Sequence, residues 1–320
     1  MNTAHIAHSF NVFILVLTLT LTACGGNDSQ TQNTSNETML ADSTSWRIAV
    51  TPTIDCLPLF LASDHGFFER AGVKVVLFPY EAQMDVDTAL QRSRVDGAMT
   101  DLVRAAKLER EGLSLRRLTA TDASWQLLTK RTSRISQLKQ LDDKMMAMTR
   151  YSATDLLADM AVDSARVLPE RVFRIQVNNI GVRLGMLQND IMDALWLPEP
   201  QATAARNLKS RVLLDTRKLD IRLGVMVVSE KGLQGRGNEL ALLRKAWDEA
   251  VDSLNTNGLH AYSDLIEHHM GVSRTTVDSL ATDLHFSHAA DPRQKDVERV
   301  DKWWQKRLES MKYVEKRYIQ

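Results

Sequence analysis

The sequence predicts an α/β protein whose folded body consists of two similar halves. Short apolar runs rich in β-branched residues alternate with helical segments over residues 46–229, as strands and helices do in α/β folds. The alternation occurs twice, with a polar segment at residues 131–139 between the two passages. From residue 239 onward the pattern is helical throughout. We therefore expect two lobes, each a mostly parallel sheet flanked by helices, followed by a helical C-terminal region.

The chain begins with the features of an exported lipoprotein. Residues 12–23 form an unbroken run of apolar and threonine residues, which is short for a membrane span but typical of a signal-peptide core. The run ends in Leu-Thr-Ala-Cys-Gly, which resembles a bacterial lipobox and implies lipidation of Cys24. Residues 1–11 contain no lysine or arginine, so an uncleaved N-terminal anchor is the alternative. Both interpretations tether the protein to a membrane of the bacterial cell envelope, on the periplasmic side.

These features divide the chain into five predicted parts. Residues 1–23 are the signal peptide, and residues 24–45 are a polar tether whose composition stays disordered. Residues 46–132 form lobe 1 and residues 133–222 form lobe 2. Residues 223–320 return to lobe 1 and add the C-terminal helices. We expect the two hinge crossings between the lobes at residues 130–140 and 217–223, which are polar breaks between apolar strands.

The first strand–helix–strand unit organises lobe 1. Trp46–Val50 and residues 73–78 are predicted strands, with a helix over residues 56–64 between them. Asp55 precedes this helix as a candidate N-cap. The loop at residues 51–55 therefore lies at the carboxyl end of a strand and against a helix N-terminus, which is where open α/β sheets bind ligands.

The remaining elements continue the alternation. Lobe 1 has predicted strands at residues 97–100, 115–121 and 125–130 and helices at 84–93 and 103–111. Lobe 2 has strands at 144–148, 172–177, 192–196 and 212–214 and helices at 155–165, 182–188 and 201–207. The chain returns through a strand at 224–229. An apolar stripe then predicts that the next helix packs on the core: Leu240, Leu243, Trp247, Val251 and Leu254.

Three segments carry a resemblance to a known family. They are PLFLASDHGFFERAGVKVVLF at residues 58–78, VDGAMTD at 95–101 and WLPEP at 196–200. In this order they resemble the substrate-binding proteins of ABC importers, in the nitrate/sulfonate/taurine and thiamine-pyrimidine-precursor group (NMT1/THI5-like, SsuA-like). The resemblance implies a two-lobed, periplasmic-binding-protein-like fold of type II with a ligand cleft between the lobes. It also implies an ABC permease in the membrane as partner, and no cofactor or enzymatic activity.

The resemblance and the strand ends together nominate the ligand-facing residues. From lobe 1 and the region near the crossing they are Thr51, Pro52, Asp55, Thr100, Asp101, Asp122 and Trp125. From lobe 2 they are Tyr151, Ser152, Thr154, Asn178, Asn179, Trp196 and Glu199. Taken singly, each could instead be a turn or capping residue, as Asp55, Thr154 and the Asn178-Asn179 pair illustrate.

The chemistry of this set favours a nitrogen-containing heteroaromatic ligand, such as a pyrimidine precursor of thiamine. Carboxylates accept hydrogen bonds and repel anions, and aromatic side chains stack on flat or cationic groups. The alternative is a sulfonate, taurine or nitrate, which would use helix N-termini and arginine; Arg150 and Arg183 keep this alternative open. A catalytic member of the same family is a further alternative, in which Cys56 would act as nucleophile, although a small buried residue is the simpler interpretation.

Composition excludes several other classes. The chain has 40 basic and 40 acidic residues, so no overall field attracts nucleic acid. Its two cysteines do not make a disulfide framework. The histidine pairs at 268–269 and 285/288 lack a recognised ligand spacing, so we expect no metal. We expect a monomer that binds a small molecule. A lipoprotein that binds a macromolecule through an exposed apolar patch is the remaining alternative.

Overall fold

The computed structural model describes the backbone of residues 44–318 and the side chains of residues 44–311. The predicted signal peptide, Cys24 and most of the predicted tether lie outside these residues. Within them, no helix is long and apolar enough to cross a membrane.

Lobe 1 contains a five-stranded sheet in the order β2-β1-β3-β10-β4. Its strands are β1 (Trp46–Val50), β2 (Val75–Pro79), β3 (Gly97–Asp101), β4 (Leu115–Ala120) and β10 (Gly224–Ser229). Strand β1 pairs in parallel with β2 and β3, whereas β10 is antiparallel to both β3 and β4. Four of the five strands therefore run in one direction.

Lobe 2 repeats this topology in the order β7-β6-β8-β5-β9. Its strands are β5 (Trp125–Thr129), β6 (Lys144–Met148), β7 (Val172–Gln176), β8 (Ala194–Pro198) and β9 (Arg211–Asp215). Strand β6 is parallel to β7 and β8, and β5 is antiparallel to β8 and β9. In each sheet the antiparallel strand is the one that follows a crossing from the other lobe. The predicted class, two lobes with mostly parallel sheets, is confirmed.

The first crossing lies earlier in the chain than predicted. Because β5 pairs with β8 and β9, it belongs to the second sheet, and the chain crosses at residues 121–124 rather than 130–140. The polar segment after β5 is a surface loop within lobe 2 that leads through a short 3-10 helix, Leu138–Leu141, into β6. The return crossing occupies residues 216–223, between β9 and β10.

Twelve α-helices cover the described part of the chain. They are α1 (Leu57–Asp64), α2 (Phe67–Ala71), α3 (Gln83–Gln91), α4 (Leu102–Arg110), α5 (Ala153–Ala165), α6 (Ile180–Gln188), α7 (Gln201–Asn207), α8 (Glu230–Leu233), α9 (Glu239–Asn257), α10 (Ser263–Met270), α11 (Arg274–Asp278) and α12 (Gln294–Tyr318). Side chains cap α4, α5 and α6 at their N-termini: Asp101, Ser152 and Asn179 each accept a backbone N–H of the first turn.

Apolar side chains form three clusters that explain how the lobes are joined. One covers the outer face of the lobe 1 sheet with α1, α2 and α9, including the predicted stripe residues Leu243, Trp247, Val251 and Leu254. Another covers the outer face of lobe 2. The third joins both lobes: it combines α3 and α4 of lobe 1, α5 of lobe 2, and Val300, Trp303 and Trp304 of α12. The lobes thus share one core.

Candidate ligand-binding site

A small cavity lies between the lobes, where strands of both sheets end. Lobe 1 lines it with Thr51, Thr53, Asp55, Gln83, Met99, Thr100 and Asp101, and lobe 2 with Trp125, Thr149, Ser152, Thr154, Asn178, Ile180, Arg183 and Pro198. Its volume is about 50 Å³. A cavity needs about 10–15 Å³ of such volume to hold one water molecule, so this cavity has room for roughly four water-sized groups.

The lobes touch each other on two sides of this cavity. The Ile54 N–H donates to the Glu199 carbonyl over 2.9 Å, and the Gln201 side chain donates to the Pro52 carbonyl over 2.8 Å. At the other side, Ala82 forms an antiparallel bridge with Asn179, whose amide also donates to Glu81. These contacts narrow the way into the cavity, so we expect a solute to enter when the lobes move apart.

Eight of the predicted ligand-facing residues line the cavity: Thr51, Asp55, Thr100, Asp101, Trp125, Ser152, Thr154 and Asn178. The buried hydroxyl oxygen of Thr100 has no hydrogen-bond partner among the described residues. It is therefore an unused polar contact at the cavity wall.

Two predicted residues, Asp122 and Tyr151, point away from the cavity. Asp122 accepts hydrogen bonds from the backbone and hydroxyl of Ser287 and pairs with Arg222, so it fastens a C-terminal loop to the crossings. Tyr151 has a φ of 56° and stacks on Trp304, with ring centroids 5.6 Å apart. The left-handed backbone turns its ring outward, while Ser152 beside it faces the cavity.

Trp196 and Glu199 also lie outside the cavity. Trp196 is fully buried in the shared core. The Glu199 carboxylate accepts the backbone N–H and hydroxyl of Thr203 and pairs with Arg206 over 2.8 Å. It therefore stabilises the start of α7 instead of facing a ligand, which corrects the prediction for this residue.

The last two predicted residues, Pro52 and Asn179, line a wider groove outside the closed cavity. This groove is bordered by Tyr80, Glu81, Leu184 and the end of α10. Pro52 and Asn179 are among the residues through which the lobes touch.

Two buried carboxyls form the lobe 1 wall. Burial raises the pKa of Asp55 above its usual range, although hydrogen bonds from Thr53 and Thr121 oppose the shift. Asp55 lies inside the 3-10 helix Ile54–Cys56, and α1 begins after Cys56 without a side-chain cap, contrary to the prediction that Asp55 caps this helix. Burial also raises the pKa of Asp101 to about 6, against the charge of Arg104 and backbone hydrogen bonds from Arg104 and Ala153. Because Ala153 begins α5, Asp101 also connects the lobes.

Arg183 is the buried cation of the lobe 2 wall; the sequence nominated it only for the anionic alternative and not among the ligand-facing residues. Its guanidinium donates to the carbonyls of Val177 and Trp196 and to the hydroxyl of Thr149, at 2.7–2.8 Å. No carboxylate among the described residues pairs with it. Burial and the nearby charge of Arg104 lower the pKa of Arg183 to about 10. One signal was available, because Arg183 is the single charged residue of the helix Ile180–Gln188.

The Cys56 side chain is fully buried. Burial, and then the charge of Asp55, raises the pKa of its thiol to about 12. Its sulfur contacts the hydroxyls of Thr51 and Thr53. Over the residues that the structure describes, no cluster of His, Cys, Asp or Glu has a geometry suited to a metal ion.

Two lobes of identical strand order, closing on a cavity at their strand ends, define a periplasmic-binding-protein-like fold of type II. The family model described as NMT1/THI5 like matches residues 53–254, and the chain belongs to this family. No curated protein sequence matches the chain.

Solved structures support the same fold. The alkanesulfonate-binding protein SsuA from Xanthomonas axonopodis pv. citri, bound to MOPS, is similar with a TM-score of 0.72 and 16% identity, covering 84% of this chain and 95% of that one. The aliphatic sulphonate-binding protein SsuA from Escherichia coli is similar with a TM-score of 0.67 and 18% identity, covering 83% of this chain and 89% of that one. The nitrate-binding protein NrtA from Synechocystis PCC 6803 is similar with a TM-score of 0.62 and 13% identity, covering 79% of this chain and 74% of that one. At these identities the likeness concerns the fold.

Proposed function

We propose that this protein is a lipid-anchored solute-binding protein that captures a small organic molecule and delivers it to an ABC importer. The observation that carries the proposal is the cavity enclosed by residues of both lobes at their strand ends. Similar folds belong to proteins named for binding sulfonates and nitrate, which supports this role. Capture would proceed by separation of the lobes and closure around the solute.

The charges of the cavity favour a ligand with two different ends. Asp55 and Asp101 on lobe 1 accept hydrogen bonds and suit an N–H or cationic group. Arg183 on lobe 2 suits an anionic or hydrogen-bond-accepting group. A nitrogen-containing heteroaromatic such as an aminopyrimidine offers both kinds of group and could stack on Trp125. A whole ring exceeds roughly four water-sized groups, so the lobes would have to close less tightly around it.

A sulfonate, taurine or nitrate is the second candidate. The observation that favours it is Arg183, a buried cation without an acidic partner among the described residues. An uncompensated buried charge is costly, and a bound anion would offset that cost. The small cavity also suits a compact anionic group.

The protein performs no chemistry in this proposal. The thiol of Cys56 is buried with a raised pKa, so it stays protonated and is a poor nucleophile. A catalytic role would require turnover of a bound pyrimidine, which chromatography after long incubation would detect.

The direct experiment is native mass spectrometry of the purified protein, followed by calorimetric titration with an aminopyrimidine, with taurine and with nitrate. A co-purifying molecule with both N–H donors and an acceptor group would support the proposal. Binding of a macromolecule, with no small solute retained or titrated, would contradict it.

A further inference from the structure

We infer that the C-terminal helix α12 is a strap that holds the two lobes closed, and that its polar contacts with lobe 2 are the ones that break when the cleft opens. Helix α12 lies across α4 of lobe 1 and α5 of lobe 2, and both helices begin at the cavity wall. A helix fastened to both can therefore set how easily the lobes separate.

The attachment to lobe 1 is mainly apolar and deeply buried. Val300 is 2% exposed, and Trp304 packs in the shared core and donates its indole N–H to the Val103 carbonyl over 3.2 Å. Arg110 of α4 lies over the Trp304 ring at 5.0 Å. Arg293, just before α12, also donates to the Asp220 carbonyl in the return crossing over 2.9 Å. Separation here would expose core side chains to water.

The attachment to lobe 2 contains more polar contacts, although Trp303 and Trp304 also lie in the apolar cluster that includes α5. The Trp303 indole N–H donates to the Asp159 carboxylate over 2.7 Å. The Arg307 guanidinium lies 3.5 Å from Asp155 and 3.8 Å from Asp159. Tyr151 adds a stack on Trp304. Water can replace the partners of such groups, whereas the apolar contacts with lobe 1 have no such substitute. We therefore assign α12 to lobe 1 during opening.

Adjacent tryptophans provide a matched pair of variants. Trp303→Phe removes the N–H that binds lobe 2, and Trp304→Phe removes the N–H that binds lobe 1. Both keep an aromatic ring, so Trp304→Phe retains a ring that can stack on Tyr151 of lobe 2. Arg307→Gln is a second lobe 2 variant; its side chain is 26% exposed, so it tests the strap even if Trp303→Phe fails to fold.

The experiment is hydrogen–deuterium exchange of the full chain without added solute. The Ile54 amide bonds across the lobes to Glu199, so its exchange reports separation, while the Tyr80 amide bonds within lobe 1 to Val50 and serves as the internal reference. We expect Trp303→Phe to speed exchange at Ile54 by about tenfold, the effect of losing a hydrogen bond to a charged group. Arg307→Gln should speed it by about three- to fivefold, because its ion pairs are longer and partly exposed. Exchange at Tyr80 should not change, and Trp304→Phe should change Ile54 by less than about twofold.

The role of α12 as a strap is contradicted if Ile54 exchanges at the wild-type rate in both lobe 2 variants. It is also contradicted if Trp304→Phe speeds exchange at Ile54 as much as the lobe 2 variants do. The inference rests on the proposal that the lobes open and close. Because no solute is present, a failure of solute binding would contradict the proposed function without affecting this result.

Discussion

Arg183 and the carboxyls of Asp55 and Asp101 face one small cavity from opposite lobes. Within a closed cleft such charges are poorly solvated, so each requires a complementary group. A solute with complementary ends would touch both lobes at once, and its binding would then favour closure.

Arg183→Met should weaken solute binding by at least about thirtyfold, which corresponds to the lower limit of about 2 kcal/mol for truncating a buried charge contact. It should also lower the stability, because the carbonyls of Val177 and Trp196 lose their donor. Arg206→Met is the matched control: its guanidinium binds Glu199 outside the cavity, so stability should fall while affinity is retained. Calorimetric titration and thermal melts of both variants check this. Equal affinities for the two variants would exclude Arg183 from the site.

Asp101 should make the protein less stable as the pH rises through 6. Its pKa is about 6 in the folded protein and 3.8 as the reference value, so the folded state holds the proton more tightly. The stabilising contribution of the protonated carboxyl is therefore complete below pH 3.8 and lost as pH rises through 6, by up to roughly 3 kcal/mol. Asp101→Asn should remove this part of the pH dependence while its side-chain oxygen can still cap α4.

Urea unfolding at pH 4, 5, 6 and 7 measures that difference. The free energy of unfolding of the variant minus that of the wild type should grow with pH across this window. A constant difference would show that Asp101 has an ordinary pKa. Asp55 is unchanged in both proteins, so its own titration cancels.

For the candidate site, the sequence predicted which loops face the cavity better than it predicted which side chains do. Strand ends point to the cavity, so Thr51, Thr100 and Asn178 could be predicted from the alternation of strands and helices. Tyr151 could not, because its left-handed backbone turns the ring towards Trp304, more than 150 positions away in the chain. Glu199 was misassigned because its partners, Thr203 and Arg206, become neighbours only when α7 forms.

Among the elements, the start of β10, directly after the return crossing, packs against the first crossing at Gly224. A Cβ added to Gly224 would collide with the side chains of Thr121 and Ala123 in the first crossing. A hinge motion must deform the crossings. The close packing at Gly224 therefore affects how the lobes move.

Gly224→Ala should lower the free energy of unfolding by about 1–3 kcal/mol, the usual cost of overpacking. Gly237→Ala is the control, since an added Cβ there meets nothing within 4 Å, and its stability should be unchanged or slightly higher. Chemical denaturation of the two variants measures this difference in the free energy of unfolding. A Gly224→Ala protein as stable as the control would mean that the crossings can move apart without cost.

Most elements could be predicted from the sequence because their signals are local. Strand β1, for example, has the predicted bounds Trp46–Val50. The sheet to which β5 belongs could not be predicted, because apolar strands have similar sequences whichever sheet they join. Its pairing with β8 and β9 depends on contacts distant in sequence, and the polar segment after it suggested a crossing.

For the whole molecule, the proposal requires export and tethering ahead of the folded body. Cys24→Ser should abolish lipid attachment and move the protein from the membrane fraction to the soluble fraction, because the predicted tether adds no apolar surface. Fractionation and mass spectrometry of the N-terminal peptide test this. A Cys24→Ser protein that stays in the membrane with an intact N-terminus would instead support the uncleaved anchor.

The central claim is that a solute reaches the cavity only when the lobes separate. Ala82 and Asn179 pair across the lobes as an antiparallel bridge, and paired residues there have Cα atoms close enough for a disulfide. Cysteines introduced at both positions can therefore lock the cleft, while the buried thiol of Cys56 takes no part. Asn179→Cys alone is the control for the lost cap of α6.

The most direct measurement is retention of solute by this locked protein, followed by mass spectrometry after dialysis. Protein oxidised after loading should keep its solute, protein oxidised before loading should take up none, and reduction should restore the behaviour of the single variant. Locked protein that gains and loses solute as fast as the reduced protein would contradict the account.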